Sequence, residues 1–425
     1  MKRITKKQRG RDVFRSLKSR SKNCYENEVI PRSAANSDNE WKATKNWMVA
    51  SQHGGLVYSV MDKKNSISLI LPEEMNFSTH FDRTTVYILA IRKLINTSST
   101  KKKSFKLRRI NFDGLKSISS SAALVLTAEI SRWDDHSLSN LRPLTDNWDQ
   151  DILERFIELG YFDLFQNNPY VDKKCVNNSK IRVVRYIKGN CGEPKHKILG
   201  SQIEAIVGKE IEKWRFIRIG LDEAVVNVVH HAYPDIGDVR QNHKNWYLTG
   251  AYDTINKDLK ISFYDQGIGI PKSLPASGIW ENILGFTSTL PIIDRKKDEV
   301  LLKAAVQIDR SSTGDDDRGK GLPDMLEFIK MRGNGYISIL SGHGLYKFSI
   351  RNGKVKEKTV RRREVRYGGL DLQDQSPEGE GDGQLEERLQ HHGQDRCRPE
   401  EVHPAQKLIY LSVNNQKEHN PSPYQ

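Results

Sequence analysis

The amino-acid sequence predicts an α/β protein, and three observations carry that reading. Short alternating or apolar runs with the pattern of strands (Ser66–Leu71, Leu107–Phe112, Leu259–Tyr264) are separated by segments whose apolar residues recur at helical spacing (81–95, 122–133, 216–233). Glycine turns follow two of those strands, at Gly114 and at Gly267 and Gly269, and a third lies before an apparent helix at 323–331. No apolar run approaches the ~18 residues of a membrane span; Val86–Ile91 is among the longest.

Taken in order, the chain opens on a basic arm. Lys2, Arg3, Lys6, Lys7, Arg9, Arg11, Arg15, Lys18, Arg20 and Lys22 stand against Asp12 alone, within a net charge of +14. Further basic knots lie at 101–109 and 361–363. Such patches can hold nucleic acid or an acidic partner. The arm has no aromatic residue among its first twelve positions for base stacking, so a solvated, disordered arm over 1–45 is the preferred reading. Residues 46–170 form a first α/β unit. Ser66–Leu71 is a strand ended by Pro72, Phe81–Ile95 a helix with Val86, Leu89, Ala90 and Leu94 inward, and Leu107–Phe112 a second strand. Asp113-Gly114 then turns into Ser117, Ser119, Ser120 and Ser121, ahead of an apolar helix at 122–133. The serines can cap that helix or hold a phosphate at its N-terminus; capping is preferred. Ile152–Phe165 is an amphipathic helix before an Asn/Asp/Lys-rich linker over 167–180.

The most informative residues come next. In a helix over 216–233, Glu223, Asn227 and His231 are four residues apart, so successive members rotate by only about 40° and share a stripe. Leu221, Val225, Val228, Val229 and Ala232 fall on the opposite side and face a core. A carboxylate and an amide on one face suit a Mg²⁺ and water site as well as a solvated surface. The strand 259–264 ends in Asp265, placed to accept a hydrogen bond from an exocyclic amine. Gly267 and Gly269 beyond it let backbone approach a flat ligand. Arg318-Gly319-Lys320-Gly321 precedes the helix at 323–331, where backbone N–H groups and positive charge form a phosphate cradle.

These three segments, in this order on helix, strand and loop–helix, resemble the N, G1 and G2 boxes of the GHKL ATPases (gyrase, heat-shock chaperone, histidine-kinase and mismatch-repair ATP-binding domains). Similarity extends over roughly 181–355, and the nearest subgroup looks like the anti-sigma-factor serine kinases and related bacterial ATP-binding regulators. The resemblance implies a Bergerat-type α/β sandwich, a mixed sheet with helices on one face, binding ATP and Mg²⁺. It implies that Asn227 ligates Mg²⁺ and that Glu223 polarises the attacking water or hydroxyl. Asp265 would bond the adenine amine, Gly267 and Gly269 shape the pocket, and Gly319 and Gly321, with Arg318 and Lys320, line the phosphates. The stretch 272–317 would be the ATP lid, with a helical patch at 298–307 and a polar hinge at 311–317. Two features depart from the pattern: Asp317 stands where the third box commonly begins with Gly, and the Gly-Thr step of the closing strand is missing near Tyr367-Gly368-Gly369. The strand, Asp-Gly turn, serine cluster and helix of the first unit resemble the phosphoacceptor region of a STAS domain, a less specific match.

From residue 356 the composition turns polar, and 371–406 lack aromatics and hold few aliphatics, so 356–425 reads as a disordered tail. A reading-frame change near 368 is one explanation and a natural tail the other. Cys24, Cys175, Cys191 and Cys397 lack Cys-x-x-Cys spacing and read as reduced thiols. With no secretory signal or membrane span, the expected compartment is the cytoplasm. The expected function is a Mg-ATP-binding regulator that hydrolyses ATP or transfers its γ-phosphate to a serine, on a partner or in its own STAS-like half. The alternative is a non-catalytic ATP-gated switch that binds a protein or nucleic acid. A regulatory protein partner is implied, a homodimer is allowed, and nucleic acid through the arm is not favoured.

Overall fold

The computed structural model describes residues 36–61, 66–97, 106–133, 138, 141, 143–166, 168, 170, 180–190, 194–208, 211, 213–233, 245–277, 279–291, 294, 295, 297–311, 321–361 and 407–414. It is an α/β structure built in three layers around a large sheet. Among the described residues no helix is long and apolar enough to cross a membrane.

The first layer begins with α1 (Asn36–Gln52), which starts inside the stretch expected to be a disordered arm. Thr44 is 7% exposed, so the end of that stretch is drawn into the core, with Met48 and Ser51 fully buried just beyond it. A three-stranded sheet follows, from β1 (Tyr58–Val60), β2 (Ser66–Ile70) and β4 (Lys106–Asn111). β1 pairs antiparallel with β2, and β2 pairs parallel with β4 across the helix α2 (Phe81–Thr97). A short parallel pair joins β3 (Glu74–Met75) to β5 (Ser117–Ile118). The next helix, α3 (Ser120–Ile130), is buried along all of Ser121–Ile130. A helix apolar around its circumference needs cover on every side, and α3 has it because it lies between α2 and the large sheet. Ser119 is its N-cap, its hydroxyl accepting from the Ala122 N–H at 3.2 Å. The capping reading of that serine therefore describes what it does here. The amphipathic α4 (Gln150–Leu159) is capped by Asp149 and ends on Gly160, whose φ of 87° is the left-handed C-cap conformation.

Among the described residues the large sheet holds eight strands. They are β6 (Ile181–Val183), β7 (Ile187–Asn190), β8 (Asn245–Asp253), β9 (Asp258–Asp265), β10 (Gly335–Ser341), β11 (Gly344–Arg351), β12 (Lys354–Arg361) and β13 (Lys407–Asn414). Their order is β12-β11-β10-β13-β9-β8-β6, with β7 on β8 as well. Every pairing in it is antiparallel. This corrects the expectation of a mixed sheet: tight hairpins link β8 to β9, β10 to β11 and β11 to β12, and among the described residues parallel pairs occur only in the small first layer.

β13 corrects a second expectation. It lies inside the stretch read as a disordered tail, yet it pairs over its whole length with β9 on one side (Lys407↔Asp265 to Asn414↔Asp258) and with β10 on the other. Its run Leu-Ile-Tyr-Leu-Ser-Val is a strand former once isolated from the polar residues before it. A sequence out of frame from 368 onward has no reason to complete the sheet in this way. The rest of 362–425 lies outside the described residues.

On one face the sheet carries α5 (Leu199–Val207), α6 (Trp214–Asn227) and α10 (Gly321–Arg332). Leu221, Ala224 and Val225 of α6 meet Met325, Leu326 and Ile329 of α10 in one apolar cluster with Trp246, Leu248, Phe263, Ile337 and Ile409. The other face is covered by the first layer, where Tyr247, Ala251, Tyr264 and Leu408 join the core of α2 and α3. The sheet is thus covered on both faces, not on one, and β8 is buried from Asn245 to Tyr252. In the expected lid, α7 (Ile270–Ser273), α8 (Trp280–Thr287) and α9 (Asp298–Ser311) gather a separate small core around Ile283, Leu301 and Ala304.

Candidate functional site

The site is built where α6 ends beside the end of β9. Glu223 and Asn227 keep their four-residue phase on α6, and Asn227 Nδ2 donates to Glu223 Oε1 at 3.1 Å. After Asn227 the backbone widens into a π-helical turn, Val228–Ala232. Such turns are rare and frequent at functional sites. The wider turn carries His231 off the strict stripe, though it stays in electrostatic reach of Glu223. Burial, His230 and Lys407 push the His231 imidazole below its ordinary value, and Glu223 opposes them. His231 is therefore neutral at pH 7. Asn227 Oδ1 and Glu223 Oε2 make no other hydrogen bond among the described residues.

Asp265 ends β9 with only 2% of its surface exposed. Burial pushes its carboxyl up to about 6, against the pull of Lys407 and of the Gly267 N–H, which it accepts at 3.0 Å. Its Oδ1 takes that bond, and Oδ2 takes none among the described residues. The glycine loop is then pinned. A Cβ on Gly267 would stand 2.4 Å from Ala232 Cβ and 2.6 Å from its carbonyl oxygen, so only glycine fits. The Ile268 N–H satisfies that same carbonyl at 2.8 Å, closing the end of the π turn. Gly269 adopts φ 79°, and the Ile270 N–H reaches Ser341 Oγ at 2.8 Å.

Several members of this site carried no sequence signal. Lys407 is 7% exposed, sits opposite Asp265 in register and influences both Asp265 and His231. Tyr233 donates to the Asn245 carbonyl at 2.8 Å and accepts the Gln266 N–H at 3.2 Å. Burial and the Asp265 charge raise its phenol further. Gln266, between Asp265 and Gly267, reaches into the first layer: its Nε2 donates to Glu129 Oε1 at 3.3 Å and to the Ala128 carbonyl at 3.4 Å. Glu129 is fully buried. Arg92 meets it through Nε and Nη2 at 3.1 and 2.8 Å, and the Tyr264 hydroxyl donates to it at 2.6 Å. Burial would raise this carboxyl, but Arg92 and Arg132, with those hydrogen bonds, hold it at about 2. On the far side of α6, Asp222 pairs with the buried His196, away from the Glu223 stripe.

Glu223 and Asn227 thus pair on α6 one turn before the π turn, and Asp265 and Gly267 pack against that turn's end at Ala232. Gly321 is the first residue of α10, the helix packed against α6, while Arg318, Gly319 and Lys320 lie outside the described residues. Of the serines, Ser117 is exposed and Ser121 is buried beside Ser119, 3.1 Å between hydroxyl oxygens. No group of three or more His, Cys, Asp or Glu forms a metal cluster among the described residues. Mg²⁺ held by one amide oxygen and phosphates needs no such cluster. No family model, curated protein or solved structure matches this chain.

Proposed function

We propose that the large sheet and its helices form a Mg-ATP-binding module of the GHKL type, acting as an ATPase or serine kinase in a regulatory protein. The observation that carries this reading is Asp265: a buried carboxylate with one oxygen on the Gly267 N–H and the other unpaired, beside a pinned glycine loop and an acid–amide pair on the adjoining helix. An ionised Oδ2 accepts from the exocyclic amine of adenine, whereas guanine presents a carbonyl acceptor there and is rejected. The oxygens left open on Asn227 and Glu223 suit a hard cation. Asn227 Oδ1 would hold Mg²⁺, which when bound neutralises phosphate charge. Glu223 Oε2 orients the attacking hydroxyl or water and takes its proton. Neutral His231 leaves that carboxylate without a competing full positive charge. β13 takes the place of the closing strand sought near 368, with Lys407 at the base where the family pattern has a Gly-Thr step. That substitution and the wholly antiparallel sheet are the departures from the pattern.

One observation favours the second reading, an ATP-gated switch. Gln266, inside the glycine loop, is bonded to Glu129 of the first layer, so loop movement on nucleotide binding is felt there. Glu223→Ala separates the readings. Lost phosphate release or transfer with ATP affinity kept supports the enzyme, and no turnover in the wild type with ATP still bound supports the switch.

A further inference from the structure

The face of the large sheet turned away from α10 changes character past the edge of the first layer. Lys347 and Arg351 of β11 stand directly opposite Lys358 and Lys354 of β12, and Lys356 stands opposite Ser349. Alternation puts all five cations on one face. None of them has an ion pair among the described residues. Like charges placed directly opposite destabilise a strand pair, and burial, Arg351 and Lys358 all push the Lys347 ammonium down. Lysines on an edge strand guard against aggregation, but that role needs no cations on β11 and no bias to one face. The other face of β12 carries Val355, Glu357, Thr359 and Arg361, which balance in charge.

The same face holds aromatic groups. Lys347 Nζ lies 4.3 Å from the Tyr336 ring centre, and Tyr336 packs against Tyr410 at 5.5 Å. Lys347 and Tyr410 also line a cavity against the first layer, walled by Phe77 and Phe81 and containing Ser121. Its enclosed volume is only about 60 Å³, well below the ~300–1,000 Å³ of small-molecule sites, so the face offers partly exposed rings of Phe77, Tyr336 and Tyr410 and no closed pocket. Cations at alternate positions along adjacent strands, beside partly exposed aromatic rings, match the two elements of single-strand recognition: a positive track for phosphates and stacking surfaces for bases.

We propose that this face binds single-stranded nucleic acid, with phosphates along Lys347, Arg351, Lys354, Lys356 and Lys358 and bases stacked on the rings of Phe77, Tyr336 and Tyr410. The site is separate from the Asp265 pocket and does not depend on ATP.

The test is fluorescence anisotropy of labelled twelve-nucleotide dT and rU strands with the full chain, over a salt series. Five phosphate contacts predict a slope of log K against log salt near −3.5, or about 100-fold weaker binding at 200 mM than at 50 mM salt. Lys354→Glu/Lys356→Glu/Lys358→Glu changes only exposed side chains and leaves the basic arm intact. It is expected to weaken binding at least 10-fold and to reduce the slope by about 2. Phe77→Ala is expected to weaken binding about 10-fold with the slope unchanged. Three results would overturn the proposal: no strand binding at 50 mM salt, full affinity in the triple variant (binding then belongs to the arm), or equal affinity for polyglutamate or phosphatidylserine vesicles.

Discussion

Over β8 and β9 both faces of the large sheet are buried, but they are held by different means. Against α5, α6 and α10 the contact is mainly apolar, from Trp246 and Phe263 to Ile409 and Leu411, with His196 packed edge-on against Trp246. Against the first layer an apolar seam at Tyr247, Ala251 and Leu408 is broken by a polar knot of Arg92, Glu129, Tyr264 and Gln266. An apolar face tolerates small repacking, because dispersion and burial are spread over many contacts. A buried charge knot does not, because removing one member strands another without water. The knot also reaches the glycine loop, through Gln266. The difference teaches where this molecule stores specificity: the helix face supplies stability, and the knot fixes one register between the first layer and the candidate site.

The largest expected effect breaks the knot. Glu129→Ala takes the paired carboxylate from buried Arg92 and should cost about 3–5 kcal/mol, read by urea denaturation. Replacing both, Arg92→Met with Glu129→Leu, should recover most of that loss; equal losses in the single and double variants would show the charge pair to be incidental. Wild-type stability should also fall in acid through this group. Its folded value of about 2 lies below the ordinary 4.5, so its contribution is present above 4.5 and lost as pH falls towards 2.

Next comes the loop. Gly267→Ala forces a Cβ into Ala232 and should cost about 1–3 kcal/mol by thermal melting. ATP affinity should drop with it. Asp265 works in the opposite sense to Glu129. Its folded value of about 6 lies above the ordinary 3.8, so the protonated form is favoured by folding. That contribution is present below pH 3.8 and lost as pH rises through 6, with a total of about 3 kcal/mol. ATP affinity should move the other way, rising through pH 6 as the carboxylate ionises. Calorimetry from pH 5 to 8 checks both, and in Asp265→Asn the pH-dependent part should vanish. The smallest effect belongs to the helix face: Ile261→Val should cost about 0.5–1.5 kcal/mol and leave ATP affinity unchanged.

The two faces also differed in how much of them could be read from sequence. Alternation along 259–264 and the helical spacing around Leu221 and Val225 are local patterns, and they pointed to the right elements. Glu223 with Asn227, and Asp265 with Gly267, were legible because each pair is close in the chain. The knot was not: Glu129 and Tyr264 are 135 residues apart, and nothing in either neighbourhood names the other. Lys407 was hidden for a second reason. It opens a strand that follows a long polar stretch, so composition averaged over the tail concealed its pattern, and with it the central position of β13. The antiparallel sheet was missed because strand direction depends on connections, which residue periodicity does not report.

The measurement that bears most directly on the central claim is a calorimetric titration of the full chain with Mg-ATP, alongside GTP and the Asp265→Asn variant at pH 7.5. An amide can offer its oxygen to the Gly267 N–H or to the ligand amine, but not to both without turning its own N–H₂ on a donor. Saturable ATP binding, with GTP at least 10-fold weaker and ATP affinity at least 10-fold weaker in Asp265→Asn, is the predicted result. No ATP binding by the wild type, or equal binding of ATP by the variant, would contradict it.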